Sequence, residues 1–137
     1  MTPEAAQVYL AKHLSSWLLT LQPQVTHISV DETRLTMAVT QEIKRSGGEV
    51  SAAALSAFAD AAMVLACSGN LGTPTPVRTV TLDTQFLRPA KGDTIRAEAE
   101  VTKAGPSTLF VNCALIVEPS GRAVALASGT FSRAAAS

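Results

Sequence analysis

The apolar residues at the start of the chain follow two different periods. Between residues 3 and 21 they recur near helical spacing, and Pro3 suits the first turn of a helix. We therefore predict an N-terminal helix over residues 3–21. Apolar and polar residues then alternate in Val25–Val30 and in Arg34–Val39, with three polar residues between the two runs. This pattern predicts a β-hairpin.

A second helix is predicted where the period changes again. Residues 52–66 are almost entirely apolar and rich in alanine, which favours helix formation. A helix that is apolar on all sides belongs in a protein interior, and small side chains allow a sheet to approach it closely. We expect Gly69 and the segment 72–76, with its two prolines, to end this helix.

Four strand-like runs follow the second helix, in residues 77–87, 94–101, 108–117 and 123–131. The segments between them are short and rich in turn residues, so we predict a four-strand antiparallel meander. The whole pattern indicates an α+β domain in which one antiparallel sheet curls around one buried helix. We expect a single domain over residues 1–137 with its core in 24–133, a frayed tail from Ala134, and a dimer that protects the edge strands.

Composition and charge narrow the function. The 137 residues carry 11 basic and 11 acidic side chains, with no basic cluster and few aromatic residues, which argues against a nucleic-acid partner. The pattern predicts no membrane span and no signal peptide. Cys67 and Cys113 lie in apolar runs without metal-like spacing, so we expect free buried thiols in a reducing compartment. We predict a cytoplasmic protein that needs no metal and no cofactor.

Asp60 is the most informative residue, because it is the only charge between Val50 and Val77. No basic residue lies three or four positions from it on the same helix. A carboxylate buried without a cation should have a raised pKa, which suits a general base or a nucleophile. The alternative is a structural acid bound to loop amides or to an arginine such as Arg78 or Arg88. The residues alone leave both interpretations open.

The loop before the central helix is the second candidate feature. Gly47 and Gly48 allow a ligand to approach the backbone, and the helix start at Ser51 and Ala52 offers unpaired N–H groups. Such donors suit a phosphate or a polarised carbonyl oxygen. The alternative is a plain turn, in which Ser46 and Glu49 form a capping box.

One set of segments is shared with a known family: Gly48, Ser51, the helical run from Ala54 to Asp60, the strand from Val80 to Ala90, and Gly129-Thr130-Phe131. Together these segments resemble the hotdog-fold thioesterases of the phenylacetate-degradation type. The resemblance runs from about Thr26 to Phe131 and implies a long helix wrapped by an antiparallel sheet, paired as dimers and tetramers. It also implies hydrolysis of acyl-coenzyme A (acyl-CoA) thioesters.

The resemblance also assigns roles to residues of this chain. Asp60 matches the family's acid on the central helix, a general base or nucleophile that we expect to act from the opposite subunit. Thr79 matches the hydroxyl residue that places the water, and Gly48 matches the loop glycine. The family's His-Gly-Gly falls on Ser51-Ala52-Ala53, and its asparagine falls on Arg45, so both motifs are replaced here.

The predicted site therefore consists of catalytic Asp60 with Gly48, Ser51, Ala52 and Thr79 as substrate-binding residues, and an acyl-CoA as substrate. We expect the acyl chain to lie along apolar residues of the helix and sheet, such as Leu55, Phe58 and Met63. Because the loop departs from the family pattern, a non-catalytic hotdog module that binds acyl-CoA or another apolar acid remains the alternative. A hotdog hydratase is a poorer one, since neither His13 nor His27 stands in a matching segment.

Overall fold

The computed structural model describes residues 1–134 and has one sheet and three α-helices. The prediction for the tail beyond Ala134 lies outside the described residues. The elements are α1 (Pro3–His13), α2 (Ser16–Leu19), β1 (Gln24–Ile28), β2 (Thr33–Ala38), a 3-10 turn (Gln41–Ile43), α3 (Ala52–Leu71), β3 (Val77–Phe86), β4 (Thr94–Ala104), β5 (Thr108–Glu118) and β6 (Arg122–Arg133).

The predicted α+β arrangement is confirmed, as one antiparallel sheet covers the long helix α3. The six strands lie in the order β1-β2-β4-β5-β6-β3, and every neighbouring pair is antiparallel. The predicted hairpin is the β1–β2 pair. Phe58 and Met63 of α3 are fully buried in the core with Leu35, Leu115 and Phe131 of the sheet.

Helix α3 is long and apolar enough to cross a bilayer, but two thirds of its most apolar window (67%) is buried inside the protein. It is therefore a core helix, as its composition indicates.

Cys67 on this helix and Cys113 on β5 are buried and free, as predicted. Burial raises the pKa of each thiol to about 12, so both are protonated at neutral pH.

The prediction of one N-terminal helix over residues 3–21 is wrong. Thr2 caps α1, but the chain turns extended at Leu14 and Ser15 before the short helix α2 begins. Serine favours caps and turns over helix interiors, and the two adjacent serines at 15 and 16 coincide with this break. The break allows Leu14 and Leu18 to pack against the core, while Val8 stays exposed.

The prediction of a four-strand meander is also wrong, because β3 pairs with β6 and not with β4. The connection Leu87–Asp93 crosses the ends of β6 and β5, where Leu87 N–H donates to Val124 O (2.9 Å) and Asp93 N–H donates to Glu118 O (2.9 Å). Three strand spacings are roughly 14 Å. Seven extended residues span roughly 20 Å. The connection Leu87–Asp93 is short enough to resemble a hairpin turn in the sequence, yet it is long enough to pass β6 and β5 and reach β4.

Gly69 shows how closely the sheet approaches α3. The helix continues through this glycine and ends at Leu71, where Gly72 takes a left-handed conformation. A Cβ atom on Gly69 would lie 2.8 Å from Ile28 Cγ1 and 2.9 Å from Ser29 O, at the β1–β2 turn. The glycine is thus required for packing, although it is a weak helix former.

We expect Gly69→Ala to lower the free energy of unfolding. Overpacking a tight core costs about 1–3 kcal/mol. This outweighs the helix-propensity gain of about 1 kcal/mol. The measurement is chemical denaturation beside Gly47→Ala, whose new methyl group meets nothing within 4 Å. The close-approach argument fails if Gly69→Ala is as stable as the parent protein.

Candidate active site

Asp60 lies on α3 beside Thr79 of β3, and the two side chains are hydrogen-bonded. Thr79 Oγ1 donates to Asp60 Oδ1 at 2.9 Å. The pairing depends on a β-bulge, since the register with β6 shifts between Thr79, opposite Phe131, and Thr81, opposite Thr130. The bulge inserts Val80 as an extra residue. The structure thus brings together the acid and the hydroxyl residue that were predicted as site residues.

Within residues 1–134, no cation neutralises the carboxylate of Asp60. The ion pairs within residues 1–134 join Arg34, Arg45 and Arg96 to glutamates, and Arg78 points to the opposite face of β3 from Thr79. The alternative of an arginine-bound structural acid is therefore not what the described part of the chain shows. Burial raises the pKa of Asp60, and the hydrogen bond from Thr79 opposes this shift by stabilising the ionised form.

Asp60 belongs to a narrow open stripe on an otherwise buried helix. Ser56, Ala57, Asp60 and Val64 are only partly buried, at spacings of three and four residues that place them on one helical face. Helix α3 is therefore buried on its other sides, as predicted, but it is open along the stripe that carries the Asp60 carboxylate.

The sheet beside this stripe is open as well. Leu82 and Phe86 pair with Gly129 and Ala125 of β6, so they lie on the sheet face that carries α3. They are nevertheless 39% and 48% exposed. β3 also lies at one end of the sheet, and one of its edges is unpaired within residues 1–134. An apolar edge strand next to an unpaired acid is a surface that natural proteins cover.

The loop before α3 does not contain the capping box that was considered as the alternative. Gly48 has a φ of +87°, a conformation that suits glycine, and its N–H donates to Arg45 O at 2.9 Å. Ser51 is the N-cap of α3, and its hydroxyl accepts a hydrogen bond from Ala54 N–H at 3.1 Å. The capping role assigned to Ser46 and Glu49 is therefore wrong, because the helix begins later than that assignment requires.

The helix start leaves two backbone donors for a ligand. Ser51 N–H donates to Ile43 O at 2.8 Å, so the expectation that this amide binds substrate is wrong. Leu55 N–H donates to Ser51 O, and Ala54 N–H to the Ser51 hydroxyl. Among residues 1–134, no acceptor faces the N–H groups of Ala52 and Ala53. These two amides form the donor pair at the positive end of the helix dipole.

A cleft that we call the Arg88 cleft lies on one side of this donor pair. Its volume is about 380 Å³, and it is lined by Arg45, Glu49, Val50, Ala52, Leu55, Phe86, Leu87, Arg88, Pro89 and Ala90. Val50 N–H donates to Ala90 O at 3.0 Å, which ties the crossing segment to the helix start. Arg45 pairs with Glu49, whereas Arg88 makes no ion pair within the described chain.

A larger cleft, which we call the Trp17 cleft, lies on the other side. Its volume is about 810 Å³, and it is lined by Trp17, Thr20, Leu21, Gln22, Thr40, Glu42, Ile43, Ser51, Ala53 and Ala54. The two clefts thus flank the first turn of α3. Residue patterns did not reveal the Trp17 cleft, because it depends on the unforeseen break between α1 and α2.

The expected path of the acyl chain is wrong at two of the three residues that were named as examples of it. Phe58 and Met63 are completely buried in the core of the chain, so they cannot contact a substrate. Leu55 lines the Arg88 cleft. Both histidines contact residues close to them in sequence within the described chain: His13 stacks on Tyr9, and His27 Nε2 lies 3.2 Å from Ser29 Oγ.

One chain cannot bring its own carboxylate to its own donor pair. Asp60 follows Ala52 by eight residues along a continuous helix, which separates them by about 12 Å along the axis. A reacting carbonyl needs its oxyanion donors and its base or nucleophile within about 3 Å of its own atoms. A site that uses both groups therefore requires Asp60 from another copy.

Comparison with known proteins identifies the family. The thioesterase superfamily profile matches residues 47–124, which include the loop, α3 and Thr79. No curated protein matches the sequence significantly.

Solved structures have the same fold at low sequence identity. Zebra fish thioesterase superfamily member 2 has a TM-score of 0.84 at 19% identity, over 98% of this chain and 99% of that one. The E. coli PaaI protein from the phenylacetic acid degradation operon has a TM-score of 0.81 at 21% identity, over 98% and 96%. A Silicibacter pomeroyi thioesterase family protein has a TM-score of 0.83 at 23% identity, over 94% and 96%. The predicted hotdog fold is thereby confirmed, and the chain belongs to the thioesterase superfamily.

Proposed function

We propose that this protein hydrolyses an acyl-CoA thioester in the cytoplasm, at a site shared by two copies of the chain. The observation that carries the proposal is Asp60, a half-buried carboxylate on the open stripe of the central helix. Within residues 1–134 a hydroxyl holds it, and no cation does. Keeping a charge there destabilises the fold, which a chemical role explains and a structural role does not.

Each part of the reaction has a candidate group. The amides of Ala52 and Ala53 hold the thioester carbonyl oxygen and stabilise the negative charge that develops on it. Asp60 of the second copy either takes a proton from an attacking water or attacks the carbonyl carbon itself. Thr79, whose proton is donated to Asp60, keeps lone pairs with which to accept from that water. The carbon–sulfur bond then breaks, and the CoA thiolate leaves. On the general-base route the thiolate takes up the proton that Asp60 removed from water. On the nucleophilic route a water then hydrolyses the acyl–Asp60 anhydride, which releases the free acid, the Asp60 carboxylate and the proton that the thiolate takes up.

Gly48 and Ser51 support this arrangement without holding the carbonyl themselves. Gly48 forms the tight turn that brings the loop back to the helix, and Ser51 fixes the helix start by capping it. The unpaired Arg88 lies in the adjoining cleft, and with Lys91 and Arg122 it lines a further cleft of about 400 Å³. This basic side of the donor pair suits the phosphates of CoA.

The open edge of the sheet supports pairing of two copies, and we propose at least a dimer. Strand β3 exposes apolar side chains along an unpaired edge, and Val80 is 58% exposed in a single chain. Pairing would bury this surface and cover the stripe that carries Asp60. It would also satisfy the requirement that donor pair and carboxylate come from different copies.

Asp60→Asn tests the carboxylate. We expect it to lower kcat by about 10²–10⁴-fold, because an amide neither accepts a proton nor attacks the thioester. The measurement is thiol release over a panel of short, medium and aromatic acyl-CoAs. Asp31→Asn, which changes an exposed carboxylate in the β1–β2 turn, is the matched control and should retain full activity. Near-parental turnover in Asp60→Asn would contradict the assignment.

The same variant should be more stable than the parent at neutral pH. The folded-state pKa of Asp60 is raised above its unfolded value, so protonation favours the fold and ionisation opposes it. The extra stability of Asp60→Asn should disappear as the pH falls below the unfolded carboxyl pKa. Thermal unfolding against pH checks this and excludes misfolding as the cause of lost activity.

The acyl-CoA panel also distinguishes hydrolysis from the two alternative functions, binding without turnover and hydration. A parent protein that binds CoA esters but releases no thiol is a binding module, as the altered loop would allow. Hydroxyacyl-CoA as product, with no free thiol, indicates a hydratase instead.

Thr79→Val tests the hydrogen bond to the carboxylate. Without the donated proton the ionised form loses stabilisation, so the pKa of Asp60 rises further. Both catalytic roles need the ionised carboxylate, and the acidic limb of kcat/KM should therefore move to higher pH. Thr79→Ser keeps the hydroxyl and should keep the parental limb. A limb in Thr79→Val that is unchanged, or that lies at lower pH, would contradict the coupling.

A mixing experiment tests whether two copies share the site. Ala52→Pro deletes one amide donor at the first helical position, where proline fits and Ser51 already has the extended conformation that precedes it. This variant and Asp60→Asn should each be inactive alone. After co-refolding, heterodimers regain one intact site of two, so about a quarter of parental activity should return. If the mixture stays as inactive as its components, the shared site is wrong.

A further inference from the structure

We propose that the Trp17 cleft holds the acyl group of the substrate and that it accepts apolar acyl groups larger than acetyl. This inference rests on the proposed function for the position of the thioester, at the Ala52 and Ala53 amides. Ala52 lines the Arg88 cleft, and Ala53 lines the Trp17 cleft. A thioester bound at the two amides therefore has one cleft available for each of its halves.

The charges of the two clefts decide which half goes where. The Arg88 cleft carries two arginines and one glutamate, and it adjoins the further pair Lys91 and Arg122. In the Trp17 cleft the sole charged lining residue within residues 1–134 is Glu42, which repels a phosphate. The phosphate-bearing half is thus favoured on the arginine side, and the uncharged acyl half is left with the Trp17 side.

The lining of the Trp17 cleft suits an apolar group. Trp17, Leu21 and Ile43 provide an aromatic and an aliphatic wall, and the small side chains Ala53 and Ala54 form the floor beside the donor pair. Its volume of about 810 Å³ lies within the range of pockets that hold drug-sized ligands. An acetyl group would leave most of this space to water.

The segment that carries Trp17 has no evident structural reason to present it. Helix α2 contains no buried residue, and Trp17 is 58% exposed although it is the one tryptophan of the chain. A few residues on, Gln22 has a φ of +51°, the sole positive value at a non-glycine residue among residues 1–134. Such strain concentrates at ligand sites. An exposed indole above an open cleft gains apolar contact when an acyl group enters.

Fluorescence of the parent protein provides a test that does not require turnover. Since Trp17 is the one tryptophan, its emission reports this cleft alone. A non-hydrolysable thioether analogue of decanoyl-CoA should shift the emission to shorter wavelength, whereas CoA alone should not. The same shift with CoA alone, or no shift at a concentration where calorimetry shows the analogue bound, would overturn the proposal. A phenylacetyl analogue tests the preference for aromatic over aliphatic acyl groups.

Substrate profiles of Trp17→Ala provide the second test. We expect kcat/KM for decanoyl-CoA to fall about tenfold, as for loss of one large aromatic contact. Activity with acetyl-CoA should stay within about twofold of the parent. Val8→Ala removes an apolar side chain of similar exposure (57%) on α1, outside the cleft lining, and should leave both values unchanged.

The outcomes separate this inference from the proposed function. An equal loss for both substrates in Trp17→Ala, with Asp60-dependent hydrolysis intact in the parent, overturns the acyl site and leaves the thioesterase proposal standing. An acyl-specific fluorescence shift in a parent protein that hydrolyses nothing supports the acyl site and overturns hydrolysis.

Discussion

The arrangement of this protein depends on one unbalanced charge, the carboxylate of Asp60, at the surface of an apolar helix. A single hydroxyl, that of Thr79, is its side-chain partner within the described chain. Burial pushes this carboxyl toward its neutral form, and the hydroxyl holds it toward its ionised form. The opposition leaves the group responsive to small changes in its surroundings, which a strong ion pair with arginine would have prevented.

The geometry of α3 keeps the free amides and the carboxylate of the proposed chemistry apart within one chain. The proposed pairing of two copies would bring the amides of one copy to the carboxylate of the other. The helix dipole and the free amides lie at its start, and the acid lies two turns further on. The open stripe of α3 and the uncovered inner face of β3 lie side by side, so a contact that covers one also covers the other.

Much of the fold could be predicted from local pattern, because the signals involved are short-range. The alanine-rich run indicated α3, alternation indicated the strands, and a lone charge in an apolar segment indicated Asp60. The pairing of β3 with β6 could not be read in this way, since a seven-residue connection fits either a turn or a crossing. The break at Leu14 was not predicted for a related reason, since tertiary packing overrode the helical spacing of the apolar residues.

The candidate site was less accessible to sequence reasoning than the fold. Thr79 was placed by family resemblance alone, and the bulge that aims it at Asp60 has no signature in its neighbours. The sequence predicted the amides of Ser51 and Ala52 as donors, whereas the free amides within residues 1–134 are those of Ala52 and Ala53. The amide of Ser51 instead donates to the carbonyl oxygen of Ile43. The Trp17 cleft arises from three segments distant in sequence, so no local pattern contains it.

The pairing of β3 with the C-terminal strand has a consequence for biosynthesis. Thr79 is held in place by hydrogen bonds to residues near Phe131, which leave the ribosome more than fifty residues later in the chain. Helix α3 emerges well before β6, so its carboxylate acquires a fixed hydroxyl partner only when translation is nearly finished. A truncated or stalled chain therefore exposes an acid without the hydroxyl that tunes it, until the polypeptide is almost whole.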